Sequence, residues 1–162
     1  MKSKAAIGSH PIHPIIVPIP IGAFFLALIG DVLFTANPED PFWYQFSHAC
    51  IGVGVVFALI AAIFGAIDYF EVKMSAAAFR VATWHALLNL TVVGLYGTSL
   101  FLRRNEAAVE EGPWTLAASL STLGFLILGV SGWLGGKLAY EHRVGVVEKP
   151  EVTGADLRRA AS

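Results

Sequence analysis

The fold is decided by the stretch Phe46-Ser-His-Ala-Cys-Ile-Gly-Val-Gly-Val-Val-Phe-Ala-Leu-Ile-Ala-Ala-Ile-Phe-Gly-Ala-Ile67, which has no Asp, Glu, Lys or Arg in 22 residues. An α-helix needs about 20 apolar residues to cross the hydrocarbon core of a bilayer. Three further apolar stretches have this length, at residues 15–34, 81–102 and 114–136. With 46–67, they predict an all-α integral membrane protein, a four-helix up-down bundle.

The composition indicates that the lipid bilayer is the solvent. Of the 162 residues, 56% are apolar and 14% are charged, which is too apolar for an ordinary soluble domain. We expect one four-helix domain at residues 1–147 and a polar tail at 148–162. The net charge of −1, without a Lys/Arg cluster interleaved with aromatic residues, predicts no nucleic-acid partner.

The segment before the first span is rich in proline. Pro14, Pro18 and Pro20 interrupt the apolar run, so we expect a retained span rather than a cleaved signal peptide. Because proline disfavours helical backbone in the residue before it, the segment is predicted to be extended up to Pro18 or Pro20. Such an arm could fold His10 or His13 over the mouth of the bundle.

The distribution of Lys and Arg predicts the orientation. The side that holds the N-terminus carries Lys2, Lys4, Lys73, Arg80, Lys137, Arg143, Lys149, Arg158 and Arg159, whereas the other side carries only Arg103 and Arg104. Cytoplasmic segments carry an excess of Lys and Arg, so both termini are expected in the cytoplasm.

The ionisable residues near the spans are the candidate functional residues. Each charge costs about 2.5–3.5 kcal/mol at a helix centre unless it is paired or solvated. His85 lies inside the third span, Asp68 closes the second, His142 follows the fourth, and His13 precedes the first. We therefore expect these four side chains at one end of the bundle.

Helical periodicity gives these residues a shared interior. Each of three spans has one stripe of small and polar residues at helical spacing. The stripes are Gly54, Ala61, Gly65 and Asp68 in the second span; His85, Asn89, Val92, Tyr96 and Ser99 in the third; and Gly124, Ser131, Gly135 and His142 in the fourth. At the opposite end, Asp31 and His48 are expected to form a structural ion pair or hydrogen bond.

Four motifs resemble those of a known family. They are His13-Pro14, Gly65-Ala-Ile-Asp68, His85-x-x-x-Asn89 and Gly135-Gly136-x-Leu138-x-Tyr140-x-His142. Together they resemble an uncharacterised family of short bacterial four-span membrane domains, a domain of unknown function, over the chain up to about Val147. Some relatives are joined to Rieske, c-type cytochrome or quinoprotein dehydrogenase domains. The resemblance implies a bacterial inner (plasma) membrane location and respiratory electron transfer, and it assigns no catalytic residue.

The first functional hypothesis is a b-type cytochrome-like subunit. His85 and either His13 or His142 would ligate the iron of haem b, and Asp68 would fix an imidazole tautomer. Arg80, Lys137 or Arg143 could pair with the haem propionates. The full cofactor-binding set is His13, His85, His142, Asp68, Asn89, Arg80 and Arg143. A redox partner protein or a quinone is the expected electron-exchange partner.

Two alternatives stay open. His13, His85, His142 and Asp68 would also suit a Zn, Fe or Cu ion. The polar cluster could instead be cofactor-free, fixing helix register or conducting protons. The sequence has no nucleophile-base pair, phosphate-binding loop or nucleotide fingerprint, so we expect an electron-transfer or accessory subunit rather than a free-standing enzyme.

Overall fold

The computed structural model describes residues 3–8, 10–104 and 113–146. It contains a short helix α1 (Ile12–Ile16) and four long helices, α2 (Pro18–Ala36), α3 (Pro41–Glu71), α4 (Ala76–Leu102) and α5 (Pro113–Tyr140). A ribbon of two antiparallel strands, β1 (Ala6–Ile7) and β2 (His10–Pro11), precedes α1. The predicted tail at 148–162 lies outside the described residues.

The four long helices pack antiparallel, which confirms the predicted all-α four-span bundle. Each is long and apolar enough to cross a membrane, with a mean hydropathy of 1.4 to 2.7 over its most apolar window. The helices extend beyond the predicted spans. The 31 residues of α3 measure about 46 Å, so its ends pass beyond the hydrocarbon layer and into the headgroup region.

The segment around the prolines is helical, so the prediction of an extended arm up to Pro18 or Pro20 is wrong. Helix α1 begins at Ile12 and α2 at Pro18, with only Val17 between them. Pro14 is the third residue of α1, while Pro18 and Pro20 are the first and third of α2. The N–H groups of a first helical turn have no partner within the helix, so proline loses nothing there.

The bundle consists of two helical hairpins. Helix α2 packs along α3, and α4 packs along α5, whereas contacts between the two hairpins are sparser. The buried core lies on the line where the hairpins meet and comprises Phe24, Ala27, Ile51, Val92 and Tyr96. The outer surface is apolar, as Trp133 (79% exposed) and Leu126 (65% exposed) illustrate. Exposed apolar area on this scale fits contact with lipid.

Candidate functional site

His13 and His85 approach each other at the end of the bundle that carries the N-terminal segment and the end of α5. His13 belongs to α1, beside the first hairpin, and His85 to α4 in the second. Their ring centroids are 6.4 Å apart, and the ring planes are nearly perpendicular at 88°. Of the four side chains predicted to converge here, these two do meet.

Each imidazole is fixed by a backbone carbonyl of the partner helix in its own hairpin. The Nδ1 of His13 is 2.8 Å from the carbonyl oxygen of Ala61, and the Nδ1 of His85 is 2.8 Å from that of Ser131. A carbonyl oxygen only accepts, so in both rings Nδ1 carries the hydrogen. In the neutral imidazole Nε2 is then the unprotonated nitrogen, which is the form that binds metals.

A glycine lies beneath each ring. A Cβ at Gly65 would be 3.1 Å from His13, and a Cβ at Gly135 would be 3.0 Å from His85. Both distances are shorter than ordinary van der Waals contact. Each glycine follows the carbonyl-bearing residue by four positions, one helical turn further along the same face. The glycines on these faces therefore make room for the imidazoles.

The two hairpins make equivalent contacts at equivalent positions. Asp31 and Arg103, which form an ion pair, are 72 residues apart, and the same interval separates His13 from His85. It also separates Phe24 from Tyr96, whose rings stack. An interval of 70 residues relates Gly54 to Gly124, Ala61 to Ser131 and Gly65 to Gly135. Residues that meet their own counterparts indicate an approximate twofold axis, and both histidines lie beside it.

The two imidazoles differ in their further partners. In the second hairpin, the Asn89 amide lies 2.7 Å from Ser131 Oγ, 2.8 Å from the His85 carbonyl and 3.2 Å from His85 Nε2. The counterparts of Asn89 and Ser131 in the first hairpin are Val17 and Ala61, whose side chains have no polar atom. Among the described residues, His85 therefore has several polar partners, whereas the ring of His13 has a hydrogen bond to the Ala61 carbonyl alone.

Two further predicted site residues, Asp68 and His142, bind other groups. The Asp68 carboxylate binds Ser3 Oγ and the backbone N–H groups of Lys4 and Ala5. His142 lies just beyond the end of α5, where its N–H donates to the Lys137 carbonyl. Within the described ranges, no three His, Cys, Asp or Glu side chains are close enough together to hold a metal ion.

The charged candidates lie near the same end of the bundle. Arg80 is exposed in the second turn of α4, about one and a half turns before His85. Arg143 follows α5 with a left-handed backbone, at a φ of 52°. His10 is exposed in β2.

A second polar cluster lies at the opposite end and is centred on a buried ion pair. Arg103 is 1% exposed and Asp31 is 3% exposed. Nη1 of Arg103 is 2.6 Å from Oδ1 of Asp31, and Nη2 is 2.7 Å from Oδ2. The expectation that Asp31 pairs with His48 is therefore wrong. The ring of His48 instead stacks near that of Tyr44, with a centroid distance of 6.4 Å.

Serines complete the coordination of the guanidinium group. Nε donates to Ser99, Nη1 to Ser47 and Nη2 to Ser121, at 3.1, 2.9 and 2.8 Å. With the two bonds to Asp31, this gives one hydrogen bond for each of the five N–H groups of Arg103. Trp114 lies 4.6 Å from the guanidinium carbon. The cluster draws on all four long helices and ties them together at this end.

The comparison with protein families agrees with a membrane architecture. A family model described as a predicted membrane protein (DUF2231) matches residues 9–148. The chain belongs to the DUF2231 family. No curated protein and no solved structure matches it. The matched range takes in the four long helices of this DUF2231 chain, both paired histidines and the buried ion pair.

Sequence reasoning missed the role of Arg103 in this DUF2231 protein. Arg103 directly follows the last residue of α4, a position that in the sequence indicates a polar connection and a surface charge. A signal was available, because a carboxylate inside a span calls for a cationic partner. The interval of 72 residues, shared with the two histidines, pointed to Arg103.

Proposed function

We propose that this membrane protein is a b-type cytochrome-like electron-transfer subunit in which His13 and His85 ligate a haem iron. The observation that carries the proposal is the pair of neighbouring imidazoles, fixed through Nδ1 and with ring centroids 6.4 Å apart. Two imidazoles bound to opposite sides of one metal have centroids about 6 Å apart, because each metal–nitrogen bond is about 2 Å and each centroid lies beyond its nitrogen. The spacing and the tautomers therefore suit a shared iron.

The number of converging ligands favours haem over a bare metal ion. A structural Zn ion takes four ligands, and a catalytic Zn site uses three from the protein. In the described part of the chain only two histidines converge, and no third His, Cys, Asp or Glu joins them. Haem iron needs only axial ligands from the protein, because the macrocycle supplies the rest.

The surroundings of the histidines are compatible with this use. The contact of Asn89 with His85 Nε2, at 3.2 Å, is the longest of the three that its amide makes. An amide group has two hydrogens, so Asn89 can give up this contact and keep the shorter two. The two imidazoles also belong to different hairpins, and contacts between the hairpins are sparser than contacts within them.

Charged residues at this end would complete the binding site. Arg80, Lys137 and Arg143 lie in or next to the helix ends on the histidine side of the bundle. Guanidinium and ammonium groups pair with carboxylates such as the haem propionates. Haem with two histidine ligands supplies one-electron transfer, since no coordination position at the iron remains open. A quinone or a redox partner protein would exchange the electron.

The test is the visible spectrum of the detergent-purified protein, expressed with ample haem. We expect a Soret band and, after reduction, the sharp bands of six-coordinate low-spin haem. His13→Ala and His85→Ala should each abolish the six-coordinate spectrum. His10→Ala is the matched control, because His10 is exposed and only three residues from His13; it should leave the spectrum unchanged.

The outcomes separate haem from the two alternatives. Absence of a Soret band in the unaltered protein would overturn the haem proposal. Elemental analysis of the same sample then decides between a Zn, Fe or Cu ion and a cofactor-free bundle. Loss of the spectrum in His10→Ala or His142→Ala, but not in His13→Ala, would show that the wrong pair has been chosen.

A further inference from the structure

Asp68 binds the N-terminal segment of the chain. We call residues 3–8 and 10–11 the N-terminal strap. Oδ1 of Asp68 accepts the N–H groups of Lys4 and Ala5 at 2.7 and 3.1 Å, and Ser3 Oγ lies 2.8 and 2.7 Å from the two carboxylate oxygens. Ser3 and Ala5 are buried. One carboxylate thus holds three consecutive residues of the strap.

The strap leads directly to His13. Strands β1 and β2 pair so that Ala6 lies opposite Pro11, and the N–H of Ile12 donates to the Ala5 carbonyl at 2.9 Å. His13 is the next residue. A short chain of backbone hydrogen bonds therefore connects the Asp68 carboxylate to the first turn of α1.

Helix α1 holds His13 only at the first turn of a longer helical stretch. Val17 joins α1 to α2 in helical conformation, so the two form one span at Ile12–Ala36. His13 is its second residue, none of the five residues of α1 is buried, and helix ends fray. His85, in contrast, lies inside the 27-residue helix α4. His13 therefore needs external anchors that His85 does not need.

Helix α3 supplies two such anchors from one face. Ala61, Gly65 and Asp68 are spaced at i, i+4 and i+7, so they share one side of the helix. The Ala61 carbonyl fixes the His13 ring, Gly65 leaves room for it, and Asp68 fixes the segment that precedes it.

We propose that Asp68 is a positioning residue, which sets the location of His13 by clamping the N-terminal strap against the end of α3. The proposal rests on the proposed function for the role of His13 as a ligand. The location of His13 itself can be measured without a cofactor.

The test measures the rate at which diethyl pyrocarbonate modifies each histidine of the full-length, haem-free protein in detergent, with mass spectrometry of the peptides. Asp68→Leu keeps a similar side-chain volume but removes both acceptors, and we expect His13 to react several-fold faster. His85 in the same molecule is the internal reference and should keep its rate. Asp68→Asn should behave as the unaltered protein, because its amide oxygen still accepts the two backbone N–H groups.

An unchanged His13 rate in Asp68→Leu would overturn the proposal, and so would an equal rise at His13 and His85. If Asp68→Leu does not accumulate in the membrane, Ser3→Ala tests the clamp from the strap side. Ser3→Ala should also raise the modification rate of His13, by a smaller factor, and an unchanged rate would count against the clamp.

A second measurement connects the clamp to haem. On addition of haem, we expect the six-coordinate low-spin spectrum to be lost in Asp68→Leu and retained in Asp68→Asn. Retention of that spectrum in Asp68→Leu would contradict the positioning role. If even the unaltered protein binds no haem, the proposed function fails, while the modification rates still decide the role of Asp68.

Discussion

The rings of Phe24 and Tyr96 stack with their centroids 3.7 Å apart and their planes 10° from parallel. Each ring lies directly over a glycine of its own hairpin, Phe24 over Gly54 and Tyr96 over Gly124. The centre of the bundle is therefore four layers thick, with two aromatic rings between the backbones of α3 and α5. This layering leaves no room for a side chain at either glycine.

We expect Gly54→Ala to destabilise the protein. The new Cβ would overlap the Phe24 ring, which lies between α3 and the ring of Tyr96, so one of these groups must shift. Overpacking of this kind costs about 1–3 kcal/mol. Gly52→Ala is the control, because a Cβ there meets nothing within 4 Å, and alanine favours a helix by about 1 kcal/mol over glycine. Thermal unfolding in detergent measures the stability of both variants, and equal unfolding midpoints would contradict the prediction.

Gly135→Ala should disturb the histidine site, whereas Gly136→Ala should not. A Cβ at Gly135 would be 3.0 Å from the His85 ring, and a Cβ at its neighbour meets nothing within 4 Å. The crowded ring must shift from the Ser131 carbonyl that fixes it. We expect weaker haem binding in Gly135→Ala, measured by titration of the Soret absorbance. Equal affinities in the two variants would show that the ring tolerates the crowding.

Removing one partner of the buried ion pair should destabilise the protein strongly, and removing both partners should destabilise it less. Arg103→Leu or Asp31→Leu leaves a buried charge without its counter-charge, which costs about 3–5 kcal/mol. The double variant leaves no such charge, so its unfolding midpoint should lie above those of both single variants. Lys137→Ala is the control, because its 3.5 Å pair with Glu141 is exposed and such pairs contribute about 0–1 kcal/mol. A double variant no more stable than the single ones would contradict this account.

Both termini are predicted to lie in the cytoplasm. Since Arg103 is buried, Arg104 is the one Lys or Arg that remains for solvent at the far end among the described residues. The imbalance of positive charge is therefore larger than the sequence alone suggested. A C-terminal fusion to a reporter active only in the cytoplasm should be active. A matched fusion to a periplasmic reporter should be silent, and its activity would reverse the assignment.

Much of the fold followed from the sequence, because the bilayer imposes a length and an apolar character on every span. Helical periodicity also placed Tyr96, Ser99 and Ser131 on the interior, where all three are buried. The depth of each residue in the bundle predicted that His85 would meet His13 or His142, and it is His13 that lies beside it.

The parts that sequence reasoning missed depend on backbone groups and on tertiary pairing. The partners of Asp68 include two backbone N–H groups of the strap, and each histidine binds a backbone carbonyl. Nearly every residue has both groups, so no residue type in the sequence marks these partners. The equivalence of the hairpins was also hidden, since few of the paired positions are identical, His13 with His85 and Gly54 with Gly124 among them.

The charges at the far end of the axis have a consequence for how the halves of the protein recognise each other. A bundle of two first hairpins would place one Asp31 against another, and a bundle of two second hairpins would oppose two Arg103 guanidinium groups. Both arrangements leave like charges together in an apolar interior, at a cost of several kcal/mol. Only a bundle with one first hairpin and one second hairpin brings Asp31 against Arg103. The ion pair therefore disfavours the association of two like hairpins. Tandem fusions of like hairpins should accordingly fail to yield folded protein.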